Sequence, residues 1–309
     1  MTARPLLTAF ALLLTSATAQ AREAVSVLRS DDLPAYDAPV EAFVRSLGAP
    51  VEVFALKGDR ATAQRILSDL AADPPPAVLA LGAKAAWMAA RELPPTVPVV
   101  WAMVREPARY GLDGINMTGV RMETPPGLVL AQFQLFAPDA RRIGIRLSAS
   151  NSDPFIGEAI QAAKDAGYDV LARRVTSSRD VRRQVVTMMG EVDAIWLLPD
   201  PLVVSPSNFH YIRSQAVRAR KPVLAYSETL VDAGALICVA ADRSAIGKLA
   251  AGQVRTILDE HVSPGSLEPV SPDRTRVVLN RDTQDAIGLR VDPALMDFVD
   301  QTVRERTQR

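Results

Sequence analysis

The sequence predicts an α/β protein of two Rossmann-like lobes with parallel sheets joined by a multi-strand hinge. Three observations predict it. Short apolar or β-branched runs alternate with longer segments of helical period, that alternation pauses and restarts midway along the chain, and the 309 residues exceed what one hydrophobic core comfortably organises.

Residues 1–21 read as a signal peptide. Met1 to Pro5 carry one arginine, Leu6 to Leu14 form a short apolar run, and Ala19, Gln20 and Ala21 make a small-x-small cleavage site. A run of about ten residues is too short to cross a bilayer core of about 30 Å. No cysteine lies near the cleavage site to carry a lipid, so the expected mature protein is periplasmic and free in solution.

The N-terminal lobe is expected over 22–118. Strands are predicted at 25–28, 51–56, 77–81 and 97–103, with helices at 37–47, 60–71 and 83–91 between them. The stretch 110–120 is rich in Gly and Asn and lacks helical period, so it reads as a crossover with a hinge near Met117 to Arg121. The C-terminal lobe is expected over 119–240. It opens with a helix at 125–136 behind Thr124 as N-cap, followed by strands at 142–147, 169–175, 193–198 and 222–226 and helices at 154–166, 179–189 and 207–219. A helical segment at 241–260 and a loop with three prolines at 261–273 return the chain to the first lobe, roughly over 241–270; a strand at 276–279 begins the final passage through the second, roughly 271–309.

Composition excludes several classes. Lys plus Arg and Asp plus Glu number 35 each, which gives no electrostatic footprint for nucleic acid. The single cysteine, Cys238, has no partner for an internal disulfide and reads as a core residue. Only His210 and His261 are available as histidines, and no zinc-protease pair, nucleophile elbow, Cys-x-x-Cys or phosphate-binding glycine loop occurs. A binding protein with no cofactor, no metal and no catalysis is therefore expected over an enzyme.

Ligands of open parallel sheets gather beyond the carboxyl ends of the strands. The loops there are 29–33, 82–84 and 104–107 in the first lobe and 148–152, 200–204 and 227–228 in the second. Gly82-Ala-Lys84 is either an anion-receiving helix N-terminus or an ordinary tight turn. The small polar run at 148–152 has the same two readings, with Asp153 as a helix cap. Asp200, Glu228 and Asp242 are candidate acceptors for an ammonium or hydroxyl group; each also has a local role open to it, as turn, helix start or cap. Trp101, Met103 and Tyr226 are candidates for packing on an apolar ligand, although Trp101 in a strand suits the core equally.

The signal peptide, the segment Gly114-Ile-Asn-Met-Thr-Gly-Val120, the run Val192-Asp-Ala-Ile-Trp-Leu-Leu-Pro-Asp200, Pro222-Val-Leu-Ala-Tyr-Ser-Glu228 with Gly234 and Ala235, and Val277-Val-Leu-Asn280 with Ala286-Ile-Gly-Leu289 together resemble the ABC transporter substrate-binding family that includes tryptophan- and tyrosine-binding members. The resemblance implies a type I periplasmic-binding-protein fold. It also implies capture of a small solute, such as an amino acid or related carboxylate, between closing lobes of a monomer that delivers it to the permease of an ABC importer. A ligand-sensing partner of a membrane receptor is the alternative. By position the resemblance implies ligand contacts at Ala83, Lys84, Met103, Val104, Ser150, Asn151, Asp200, Ser227, Glu228 and Asp242. The sequence departs from the family pattern where Ser30 to Pro34, Tyr36 and Asp37 replace a His-Pro-x-Leu-Asp-like opening and where Lys84 replaces a small polar residue.

Overall fold

The computed structural model describes residues 22–304 apart from Ser152, so the expected signal peptide at 1–21 lies outside the described residues. The first half of the chain runs β1 (Val25–Arg29), α1 (Asp37–Leu47), β2 (Val51–Ala55), α2 (Arg60–Ala72), β3 (Val78–Leu81), α3 (Ala83–Glu92), β4 (Val99–Ala102) and β5 (Met117–Val120). These strands form one parallel sheet in the order β2-β1-β3-β4-β5. The strands β3 and β4 are buried along their whole length, which is why they read as continuous apolar runs rather than alternating ones.

The second half runs α4 (Pro126–Phe136), β6 (Arg142–Ser148), α5 (Pro154–Asp165), β7 (Asp169–Val175), α6 (Ser178–Met189), β8 (Ala194–Trp196), α7 (Pro206–Arg218), β9 (Val223–Ala225), α8 (Glu228–Asp232) and β10 (Ile237–Ala241). Then α9 (Arg243–Asp259) precedes β11 (Thr275–Asn280), α10 (Arg281–Ile287) and β12 (Gln301–Val303). The second sheet has the order β12-β11-β10-β9-β8-β6-β7. Cys238 is fully buried on β10, and burial pushes its thiol up to about 12.

The helix α9 leaves the second sheet and packs on α1 of the first lobe. Its Ile246, Ala250, Ala251 and Val254 join Phe43, Leu47, Val27 and Leu79 in one core. Each large apolar side chain so buried stabilises the fold by about 2 kcal/mol. The Arg255 guanidinium also donates to the Ser46 carbonyl at 3.0 Å.

One expectation about the connections needs correction. The segment Met117–Val120 is a buried strand bonded to β4, not a crossover. Its composition misleads because Trp101 lies opposite Gly119, where any Cβ would run into the indole. The pairings of the second sheet are parallel apart from that of β11, which runs antiparallel to β10. The returning segment comes back beside the point of exit, with Asp242 N donating to Arg274 O at 3.0 Å, so β11 must start where β10 ends.

The crossing between lobes therefore has three strands of chain, at 121–125, 241–243 and 270–274. The first and third are tied together, Arg121 N donating to Val270 O at 2.8 Å and Val270 N to Gly119 O at 3.0 Å.

Candidate functional site

The loops that follow the strands of both sheets face a cleft beside this triple crossing. The main cavity there measures about 1140 Å³ and takes residues from both lobes and from the crossing, among them Arg105, Glu123, Thr124, Asn151, Asp153 and Tyr226. A smaller apolar recess of about 180 Å³ opens beside it, lined by Met103, Met122, Phe155, Trp196, Tyr226 and Val239. Arg105, Glu123, Thr124, Phe155 and Tyr226 border both spaces, so charge and apolar surface meet along one seam.

The second-lobe wall is organised by Asp200. Its carboxylate is 1% exposed and accepts from Ser148 N at 2.6 Å, Asn151 Nδ2 at 3.0 Å, Leu202 N at 3.0 Å and Val203 N at 3.1 Å. Burial pushes this carboxyl upward, but the bonds from Asn151, Ser148 and Val203 outweigh it and hold the group below its ordinary value. With four donors already engaged, Asp200 fixes the loop rather than offering a free acceptor. Asn151 in turn accepts from Asp153 N, and Asp153 Oδ1 caps α5 by accepting from Phe155 N at 3.0 Å.

The first-lobe wall is strained. In the turn after β4, Met103 has φ 56° and Glu106 has φ 48°, in the left-handed region that costs a non-glycine residue about 1 kcal/mol or more. Between them Val104 is fully buried and Arg105 projects to the cleft, where it borders both cavities. The Arg105 guanidinium pairs with Asp153 Oδ2 at 2.9 Å and with Glu123 Oε1 at 3.5 Å. Burial holds the Glu123 carboxyl above its ordinary value against the opposing pull of Arg105. Burial likewise raises the Tyr226 hydroxyl.

The ten residues singled out from the sequence are distributed unevenly. Ser150, Asn151 and Asp200 line the main cavity, while Met103, Ser227 and Glu228 line the apolar recess. Glu228 also starts α8 and pairs with Arg276 at 3.3 Å. Val104 turns into the first-lobe core, and Asp242 caps α9 by accepting from Ser244 N at 2.8 Å. Ala83 and Lys84 open α3 outside the lining of either cavity. Gly82 before them has φ 88°, and a Cβ there would strike the Tyr36 hydroxyl and Ser30 Oγ, which itself accepts from Ala85 N at 2.9 Å.

Sequence reasoning missed Arg105, Glu123 and Phe155 and gave Thr124 a different role. Thr124 makes no capping bond to α4, whose N-cap is Pro125; the residue lines both cavities, and its Oγ1 is buried without a partner among the described residues. An unsatisfied buried hydroxyl is unusual in a native fold. Arg105 was within reach of sequence reasoning, since it neighbours Met103 and Val104 in a loop already identified as facing the cleft. Among the described residues there is no cluster suited to a metal ion, and no helix is long and apolar enough to cross a membrane.

Comparison with known proteins gives a consistent outcome. A family model described as ABC transporter substrate binding protein matches residues 51–303. The tyrosine-binding protein of Clostridioides difficile (strain R20291) is 25% identical over 245 residues, which are 76% of this chain and 69% of the relative. The ligand-free, open structure of a substrate binding protein with adhesive properties from Clostridium difficile superposes with a TM-score of 0.76 at 21% identity, covering 92% of this chain and all of that one. An ABC domain from Streptococcus pneumoniae in complex with L-Trp gives a TM-score of 0.58 at 21% identity, covering 90% of this chain and 100% of the other. The fold is thus that of two-lobed substrate-binding proteins.

Proposed function

The chain belongs to the ABC transporter substrate-binding protein family, and from that premise we propose that it captures an aromatic amino acid, tyrosine or tryptophan, in the cleft between its lobes. The observation that carries this reading is the seam between the two cavities. A zwitterion needs an acid and a base close together, and Arg105, Asp153 and Glu123 supply both. A flat aromatic side chain needs an apolar slot, and the recess between Phe155, Tyr226 and Met103 supplies one of about 180 Å³. The relative that binds tyrosine and the neighbour holding L-Trp support the same class of ligand.

In this reading Ser150 and Asn151 meet the ligand from the second lobe, Met103 from the first, and Ser227 and Glu228 from the floor of the recess. Asp200 acts through the loop it holds. Ala83 and Lys84, at the N-terminal end of α3, reach the ligand only when the lobes approach, and Val104 and Asp242 serve the scaffold. The protein works in the periplasm after removal of residues 1–21 and hands its cargo to the membrane permease of an importer. Contacts from both lobes are what bias the molecule toward closure, because a ligand touching one lobe alone shifts no equilibrium between open and closed forms.

Thermal unfolding of the mature protein with each common amino acid tests the proposal. A ligand at one hundred times its Kd adds about 2.7 kcal/mol to the folded state, enough to raise the midpoint by several degrees. L-Tyrosine or L-tryptophan is expected to do so while alanine and aspartate do not. Equal silence from both aromatic ligands overturns the reading.

A further inference from the structure

We infer that Arg105 is the receptor for the ligand's carboxylate, and that Asp153, which pairs with it, is the built-in competitor for that position. This inference rests on the aromatic amino acid reading above and assigns atoms to it.

Three observations carry it. Arg105 comes from the first lobe and Asp153 from the N-terminal end of α5 in the second, so their 2.9 Å ion pair spans the cleft. Asp153 uses one oxygen to cap α5 and the other for Arg105, which leaves the ion pair separable from the helix cap. The Arg105 side chain is 34% exposed whereas those of Glu123 and Asp153 are 18% and 8% exposed, so the cation is the member of the cluster most open to an incoming group.

Charge counting then defines the ligand class. The cluster of Arg105, Asp153 and Glu123 holds one cation and two anions. An α-amino acid adds one of each: its carboxylate takes Arg105, and its ammonium takes the freed Asp153 oxygen together with Glu123. No charge of the cluster is left buried without an opposite, which is the condition under which partly buried ions are tolerated. An amine without a carboxylate cannot displace Asp153. A carboxylate without an amine displaces it but strands two acids beside each other. The cleft thus selects zwitterions by exchange of partners, with an internal competitor that weakens every carboxylate ligand lacking an ammonium.

Calorimetric titration of the mature protein with L-tryptophan, tryptamine and indole-3-propionate tests this, using wild type, Arg105→Met and Asp153→Asn. Asn keeps the helix cap but not the charge. Loss of a charge-assisted bond is worth one to two decades of affinity. Arg105→Met is expected to weaken L-tryptophan about fiftyfold while changing tryptamine less than threefold. Asp153→Asn is expected to strengthen indole-3-propionate about tenfold, because the competitor has gone. If Arg105→Met weakens L-tryptophan and tryptamine by the same factor, or Asp153→Asn leaves indole-3-propionate unchanged or weaker, the assignment is wrong while capture of aromatic amino acids stands. If wild type binds neither L-tryptophan nor L-tyrosine, both fall. Should Arg105→Met not fold, Asp153→Asn decides the matter alone.

Discussion

On the second-lobe side of the cleft, Asp200 gathers four donors and ties Ser148 and Asn151 to the start of the 200–204 loop. On the first-lobe side, the 103–106 turn carries two non-glycine residues at positive φ and presents Arg105 on a half-exposed side chain. One wall is fixed by satisfied hydrogen bonds, and the other stores strain held in place by the buried Val104. The difference teaches that two facing walls can be held by different means, one by saturating a buried carboxylate and the other by packing that holds a strained backbone.

That contrast can be broken most directly at Asp200. Asp200→Ala strips an acceptor from four donors, several of them buried, and is expected to cost about 3 to 5 kcal/mol in urea unfolding. Asp200→Asn keeps one acceptor oxygen and should recover part of the loss. A cost below about 1 kcal/mol would mean that the second wall is not held by this carboxylate.

The strained wall should respond in the opposite direction. Met103→Gly accepts φ 56° without a Cβ penalty and is expected to stabilise the unliganded protein by about 0.5 to 1 kcal/mol, after the entropy cost of glycine. Destabilisation by a similar amount would show that packing of the Met103 side chain outweighs backbone strain.

Glu123 lies between the walls and sharpens the comparison through pH, with the smallest effect. Its folded-state carboxyl titrates above the ordinary glutamate value, so across that window the folded state holds more protons than the unfolded one. Stability contributed there falls as pH rises, and Glu123→Gln should flatten that slope. Asp200 has the contrary sign: its depressed value gives stability that is present above the ordinary aspartate value and lost as pH falls through the folded one. Unfolding series in mildly acidic buffers on the two Gln and Asn variants should therefore bend in opposite senses.

Much of the fold was legible because buried parallel strands such as Val78–Leu81 and helices such as Asp37–Leu47 announce themselves by period and composition. The strand Met117–Val120 was not, since it is short and carries Gly119 to make room for Trp101 on the neighbouring strand. Nor was the reversal of β11, which follows from where the chain re-enters rather than from any residue in it. At the site, Asp200 and Asn151 stood out as polar residues after apolar runs, but whether a carboxylate is free or saturated depends on loops 52 residues apart meeting in space. Arg105, Asp153 and Glu123 form a cluster only because the crossing brings three distant segments to one place.

The nested course of the chain has a consequence for the order of events during synthesis. The helix that completes the first lobe sits on α1 from far along the sequence, with Arg255 reaching Ser46 across 209 positions, and the second sheet lacks two of its strands until residues 275–303 exist. Contacts of such long range make folding slow and keep a growing N-terminal piece from finishing on its own. A chain wired this way stays incomplete until nearly all of it has emerged.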